Sequence, residues 1–145
     1  RVDWREAIRA YRRIARIDPE DERAYVHLVD LYFKIGQSDQ AMHELESLLA
    51  LYEQQQEPRK QLSMLQELVK SRPHQVALQM RLAKAYLDMQ MRSEAISVLD
   101  TVGELQLEAG KTRDAIRTIQ AIIRLRPSNV QGYRRLLDQL KAQQA

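Results

Sequence analysis

The sequence predicts an all-α fold: about eight antiparallel helices stacked from a repeated unit of three. Pro19, Pro73 and Pro127 stand 73 − 19 = 54 and 127 − 73 = 54 residues apart, and a fixed long period marks repeated architecture. Setting Pro19 on Pro73 lays Leu28 on Leu82, Tyr32 on Tyr86, Ala41 on Ala95, Leu45 on Leu99, Leu51 on Leu105 and Arg59 on Arg113. Most of these are apolar residues spaced by three, four or seven, as a repeated helical core face requires. The register extends outward too: Ala7, Tyr11 and Ile14 match Ala115, Ile119 and Ile122, and Tyr133, Leu136 and Leu140 match Tyr25, Leu28 and Tyr32. The chain is therefore read as one helical repeat domain over 1–145, with a partial repeat at 1–19, full repeats at 20–73 and 74–127, and a partial repeat at 128–145.

Within a repeat the breaks define the helices in order. The first class of helix runs from about Asp21 to Ile35 and stops at Gly36, a residue that takes the left-handed conformation helix ends favour. The second begins at Ser38 or Asp39, both able to cap orphan amides, and ends among Gln54 to Glu57. The third opens on Pro58, whose missing N–H is no loss in a first turn, and continues to about Ser71. Pro73 ends it, because proline disfavours the helical conformation in the residue before it. Each of the three repeating prolines thus separates the last helix of one repeat from the first helix of the next. The partial repeats add one helix at each end.

Composition sets outer bounds. An apolar content of 44% and a charged content of 30% fit a folded chain, and no apolar run approaches the roughly 20 residues of a membrane span. There is no cysteine, hence no disulfide framework and no thiolate metal site. The composition leans toward the cytoplasm, although a chain that opens at Arg1 is expected to be a piece of a longer protein whose targeting signals lie elsewhere. The net charge of +3 is too small to point to nucleic acid by itself.

The stretches AYVHLVDLYFKIGQSDQAMHEL, EAISVL and ELQLEAGKTRDAIRTIQAIIRLRPSN resemble tetratricopeptide repeats. In that family a unit of about 34 residues carries a large residue, Leu, Gly and Tyr on its first helix and Ala, an aromatic and Pro on its second. Tyr25, Leu28, Tyr32, Gly36, Ala41 and Leu45 match the unit, and the second-helix pattern recurs at Ala7, Tyr11, Pro19 and at Ala115, Ile119, Pro127. The resemblance implies a right-handed α-solenoid. One departure is physical: the family's unit has two helices, whereas this period holds three. The middle helix does two jobs, its start (Ala41, Leu45) reading as a second helix of one unit and its end (Leu48, Leu49, Tyr52) as the first helix of the next.

Charge is sorted by helix. The middle class is acidic, with Asp39, Glu44, Glu46, Glu53 and Glu57 in one copy and Glu94, Asp100, Glu104 and Glu108 in the other. The third class is basic: Arg5, Arg9, Arg12, Arg13 and Arg16; then Arg59, Lys60, Lys70 and Arg72; then Arg113, Arg117, Arg124 and Arg126. Such ridges make surface ion pairs or steer a charged partner. A basic ridge suits phosphates as well, but no aromatic stacking platform or nucleic-acid motif accompanies it.

Catalysis and cofactor binding find no constellation. His27, His43 and His74 lie on different elements without the i, i+4 pairing of a helical metal site, and no glycine-rich loop cradles a phosphate. Most tyrosines fall on the core register, while Trp4, aligned with Pro58 and Thr112, is a candidate exposed anchor. The expected function is a non-catalytic scaffold that binds a protein or peptide, without cofactor, metal or membrane. By resemblance the partner lies along a concave face made by first-class helices. The exposed positions there are Arg23, Val26, His27, Asp30 and Lys34; Met80, Arg81, Lys84 and Asp88; and Arg134, Arg135 and Asp138. Family members that clamp a peptide's C-terminal carboxylate use a Lys and Asn set; Val26 and Asp30 stand in the corresponding part of the helix and disfavour that clamp. The alternatives are nucleic-acid binding through the basic ridge and a structural spacer between flanking domains. Exposed repeat faces at the ends also allow end-to-end self-association.

Overall fold

The computed structural model describes residues 2–144, which form eight helices and no strand. They are α1 (Trp4–Ile17), α2 (Glu22–Lys34), α3 (Ser38–Gln54), α4 (Pro58–Ser71), α5 (Val76–Asp88), α6 (Arg92–Glu108), α7 (Thr112–Arg124) and α8 (Val130–Gln144). The repeat is visible in the bounds themselves: α5 and α6 begin and end 54 residues after α2 and α3, as 76 − 22 = 54 and 108 − 54 = 54 show. The chain is all-α, as its periodicity predicts.

Two kinds of connection alternate. Between α2 and α3, α3 and α4, α5 and α6, and α6 and α7, the chain turns in three residues through a left-handed one: Gly36 (φ 76°), Gln56 (56°), Gln90 (59°) and Gly110 (73°). Each turn ends its helix with a pair of backbone bonds, in the manner of a Schellman cap. Thus Gln37 N donates to Tyr32 O at 2.9 Å and Gly36 N to Phe33 O at 3.1 Å, while Met91 N donates to Tyr86 O and Lys111 N to Gln106 O, both at 2.8 Å. The third residue of the turn is also the N-cap of the next helix. That double duty corrects the expected cap of α3: the N-cap is Gln37, which makes no side-chain cap bond, and Ser38 already lies inside the helix. The turn's length fixes the register before a capping side chain can choose it.

The proline connections are longer. At the first, Tyr25 Oη donates to Pro19 O at 3.0 Å; at the second, Gln79, 54 residues on, donates through Nε2 to Pro73 O at 2.9 Å. The same carbonyl is bonded from the same register by different chemistry, a phenol in one repeat and an amide in the next, so each ties the connection to the helix that follows it.

The chain divides into two compact units, residues 1–61 and 62–145. In the first, Ile8, Leu28, Leu31, Tyr32 and Ala41 form one cluster, joined by Ala7, Tyr11, Ala15, Phe33 and Ile35, so α1, α2 and α3 share a core. Leu45, Leu48 and Leu49 continue it, each no more than 1% exposed. In the second, Ala83, Leu99 and Ile122 join α5, α6 and α7, with Ile96, Val98, Leu125 and Tyr133 packed around them. The middle helix buries both halves of its length as its double pattern requires: Ala41 and Leu45 at its start, Leu48, Leu49 and Tyr52 at its end.

Candidate functional site

On α2, Arg23, His27, Asp30 and Lys34 fall in one stripe by the 3.6-residue turn. Arg23, His27 and Lys34 are exposed. Val26 and Asp30 are of intermediate exposure, less open than expected, although the Asp30 side chain is as open as that of Lys34. The stripe is braced from α1. The Tyr11 and His27 rings stack with centroids 4.5 Å apart and planes 17° from parallel, and Lys34 Nζ lies 4.8 Å over the Trp4 ring. Lys34 Nζ also meets Asp30 Oδ2 at 3.2 Å. Trp4 is 38% exposed, as an anchor at the surface would be, and borders a shallow hollow with Val2, Asp3, Arg5 and Ile35. Tyr11 packs against the core cluster as its register predicts, and its ring also meets His27.

In the second unit, Met80, Lys84 and Asp88 are exposed on α5 and Arg81 is half-buried, again less open than expected because it flanks the packed side of the helix. Lys84 Nζ pairs with Asp88 Oδ2 at 3.3 Å. By the 54-residue register Lys84 stands where Asp30 does and Asp88 where Lys34 does, so the pair recurs with its signs exchanged. Arg134, Arg135 and Asp138 are all exposed on α8. The apolar register of the same helices holds instead: Leu28, Leu82 and Leu136 are one register position.

Asp30–Lys34, Lys84–Asp88 and Arg117–Asp114 each join residues of one helix, whereas Lys60 Nζ crosses from α4 to Glu22 Oε2 at 3.5 Å. Glu22 also accepts from Tyr52 Oη at 3.0 Å; burial, then that bond, pushes the Tyr52 hydroxyl up to about 12. Tyr133 is likewise pushed up to about 12 by burial and by its 2.9 Å bond to Asp100 Oδ1, with Glu104 adding to it. Tyr25 is raised by burial and by the negative charges of Glu44 and Asp18. Among the described residues no group of histidines and carboxylates is placed to hold a metal, and no helix is long and apolar enough to cross a membrane. His27, His43 and His74 are exposed, as their spacing led us to expect.

A sequence model described as Tetratricopeptide repeat matches residues 3–62. No curated protein matches the chain. Among solved structures, a double mutant of MamA is similar over 97% of this chain and 86% of its own, at 16% identity and a TM-score of 0.49. YrrB, described as a TPR protein with an unusual peptide-binding site, is similar over 87% of this chain and 79% of its own, at 15% identity and a TM-score of 0.38. TTC0263, a thermophilic TPR protein of Thermus thermophilus, is similar over 96% of this chain and 91% of its own, at 17% identity and a TM-score of 0.34.

Proposed function

We propose that this chain, whose residues 3–62 match a model described as Tetratricopeptide repeat, is a non-catalytic adaptor whose first-class helices take a protein or peptide partner. The contact residues are Arg23, Val26, His27, Asp30 and Lys34 in the first unit, and Met80, Arg81, Lys84 and Asp88 with Arg134, Arg135 and Asp138 in the second. One observation carries the reading. Across the repeats the buried register is kept while the outward residues differ, including one ion pair whose signs are exchanged between Asp30–Lys34 and Lys84–Asp88. A repeat array holds its shape by stacking and leaves its surface free to encode a partner. Exposed i, i+4 pairs stabilise by only about 0.3–0.5 kcal/mol, so stability places little demand on their order.

The test is selection of ligands for the whole 145-residue chain from a displayed random-peptide library. Selected peptides should then be measured against two variants, Arg23→Glu with Lys34→Glu, and Arg81→Glu with Lys84→Glu, Arg134→Glu and Arg135→Glu. Loss of at least about tenfold in affinity, equivalent to about 1.4 kcal/mol, in either variant is expected. Full retention in both rejects these faces.

A further inference from the structure

The connection between α7 and α8 differs from its two counterparts. Asp18, Arg72 and Arg126 each precede a repeating proline, and of the three only Arg126 has a left-handed backbone, φ 58°, where Asp18 has φ −130°. That conformation costs an L side chain free energy that glycine does not lose. The other two connections close without it, so the repeat itself does not demand an arginine held this way. Backbone outliers of this kind gather at ligand sites, and a hollow of about 320 Å³ lies beside this one. Arg92, Ser93 and Ser97 of the first turns of α6 line it on one side, Arg126, Ser128 and Tyr133 on the other. Among the described residues, the side chains of Arg92, Arg126, Ser93, Ser97 and Ser128 make no hydrogen bond or ion pair within the protein. No carboxylate lines the hollow. Asp100, one turn beyond Ser97, accepts from Tyr133 Oη at 2.9 Å, and Glu94 borders the neighbouring hollow beside Leu87.

We infer that this hollow binds a phosphate monoester. One repeat earlier, at a shift of 92 − 38 = 54, Ser38, Asp39, His43 and His74 stand where Arg92, Ser93, Ser97 and Ser128 do. Here an arginine is added, and three hydroxyls replace an acid and two imidazoles. The opening does not depend on where the sequence stops, because Asp39, His43 and His74, which further helices follow, are exposed as well. The donor set identifies the ligand. A monoester presents three terminal oxygens and a charge of about −1.5 to −2 at neutral pH, which two guanidiniums and three hydroxyls match in sign and in donors. A carboxylate offers fewer acceptors and half the charge, and a nucleic-acid diester carries a single charge on each phosphate. The ester comes from a phosphorylated side chain of a partner or from a small phosphorylated molecule, since the chemistry is shared. The site stands apart from the contact residues proposed above and does not rest on them.

The test is an NMR titration of the whole chain at constant ionic strength, read at the arginine Nε–H signals and at the amides of Ser93, Ser97 and Ser128. The probes are inorganic phosphate, O-phosphoserine, and a serine-centred peptide with and without its phosphate. Saturable shifts centred on Arg92 and Arg126 are expected with the phosphate-bearing probes alone. Arg92→Gln with Arg126→Gln should weaken binding at least about tenfold, and Gln56 and Gln90 show that glutamine takes a left-handed turn in this fold. Arg126→Gly separates the site from the fold: it should raise the urea midpoint and still weaken binding several-fold, which a purely structural arginine would not do. Arg117→Gln, at an arginine paired with Asp114 and outside the hollow, should bind as the parent does. Tighter binding of the phosphopeptide than of O-phosphoserine assigns the ester to a partner's side chain, the reverse assigns it to a small molecule, and both support the site. No saturable shift with any phosphate probe, binding that survives the paired glutamine substitutions, or equal binding of an oligonucleotide without a terminal phosphate overturns the proposal.

Discussion

At the residue scale, the turn that ends four of the helices is written twice with glycine and twice with glutamine. Gly36 and Gln90 are one register position, Gly110 and Gln56 another, and all four take positive φ. An L-residue pays roughly 1–2 kcal/mol for that conformation, part of which glycine gives back as unfolded-chain entropy. Gln56→Gly and Gln90→Gly are therefore expected to stabilise the fold by about 0.5–1 kcal/mol each, read as a raised urea midpoint at unchanged slope. The tyrosines give a second expectation. Tyr52 and Tyr133 ionise near 12 in the fold against an ordinary 10. Their neutral hydroxyls thus contribute stability that is complete below about pH 10 and lost between about 10 and 12. Tyr52→Phe should shrink the fall in melting temperature across that window, and the late part of the tyrosinate absorbance of the parent chain should shrink with it.

At the scale of the element, capping is unevenly distributed over equivalent helices. Asp21 caps α2 through Oδ1, accepting from Arg23 N at 3.1 Å and Ala24 N at 3.3 Å. Its counterpart before α5 is Gln75, which has the extended backbone of an N-cap, φ −80° and ψ 102°, but makes no side-chain cap bond. A shorter acceptor is the missing part. Gln75→Asp is expected to stabilise the chain by about 0.5–2 kcal/mol, and Asp21→Ala to destabilise it by a similar amount, with the acid also favoured by the helix dipole. Thermal melts of both variants measure this, and equal melting temperatures for Gln75→Asp and the parent would show that the Gln75 backbone cannot present a cap.

At the scale of the whole molecule, the helices were legible because the buried register repeats: Leu28 and Leu82, Ala41 and Ala95, Leu45 and Leu99 locate the same helix faces twice. The left-handed glutamines were not legible as single residues, since nothing in glutamine signals positive φ, although their alignment with Gly36 and Gly110 contained the information. The intermediate exposure of Val26 and Arg81 was not legible either, because periodicity gives the centre of a helix face but not how open its edges are. The contacts of Trp4 with Lys34 and of Tyr11 with His27 depend on packing between helices, which spacing along one helix does not specify. The same separation of levels gives a last expectation about stability. Ile8 belongs to the core of the first unit and Ile122 to that of the second, at 6% and 1% exposure. Removing one methylene from each, as Ile8→Val and Ile122→Val, should cost about 0.5–1.5 kcal/mol. Residues without shared partners add to within about 0.5 kcal/mol, and repeat arrays couple through nearest neighbours. The double variant should therefore lose the sum of the two single losses in urea unfolding followed by circular dichroism. A double loss differing from that sum by more than about 1 kcal/mol would mean that the two cores share interactions their separate clusters do not contain.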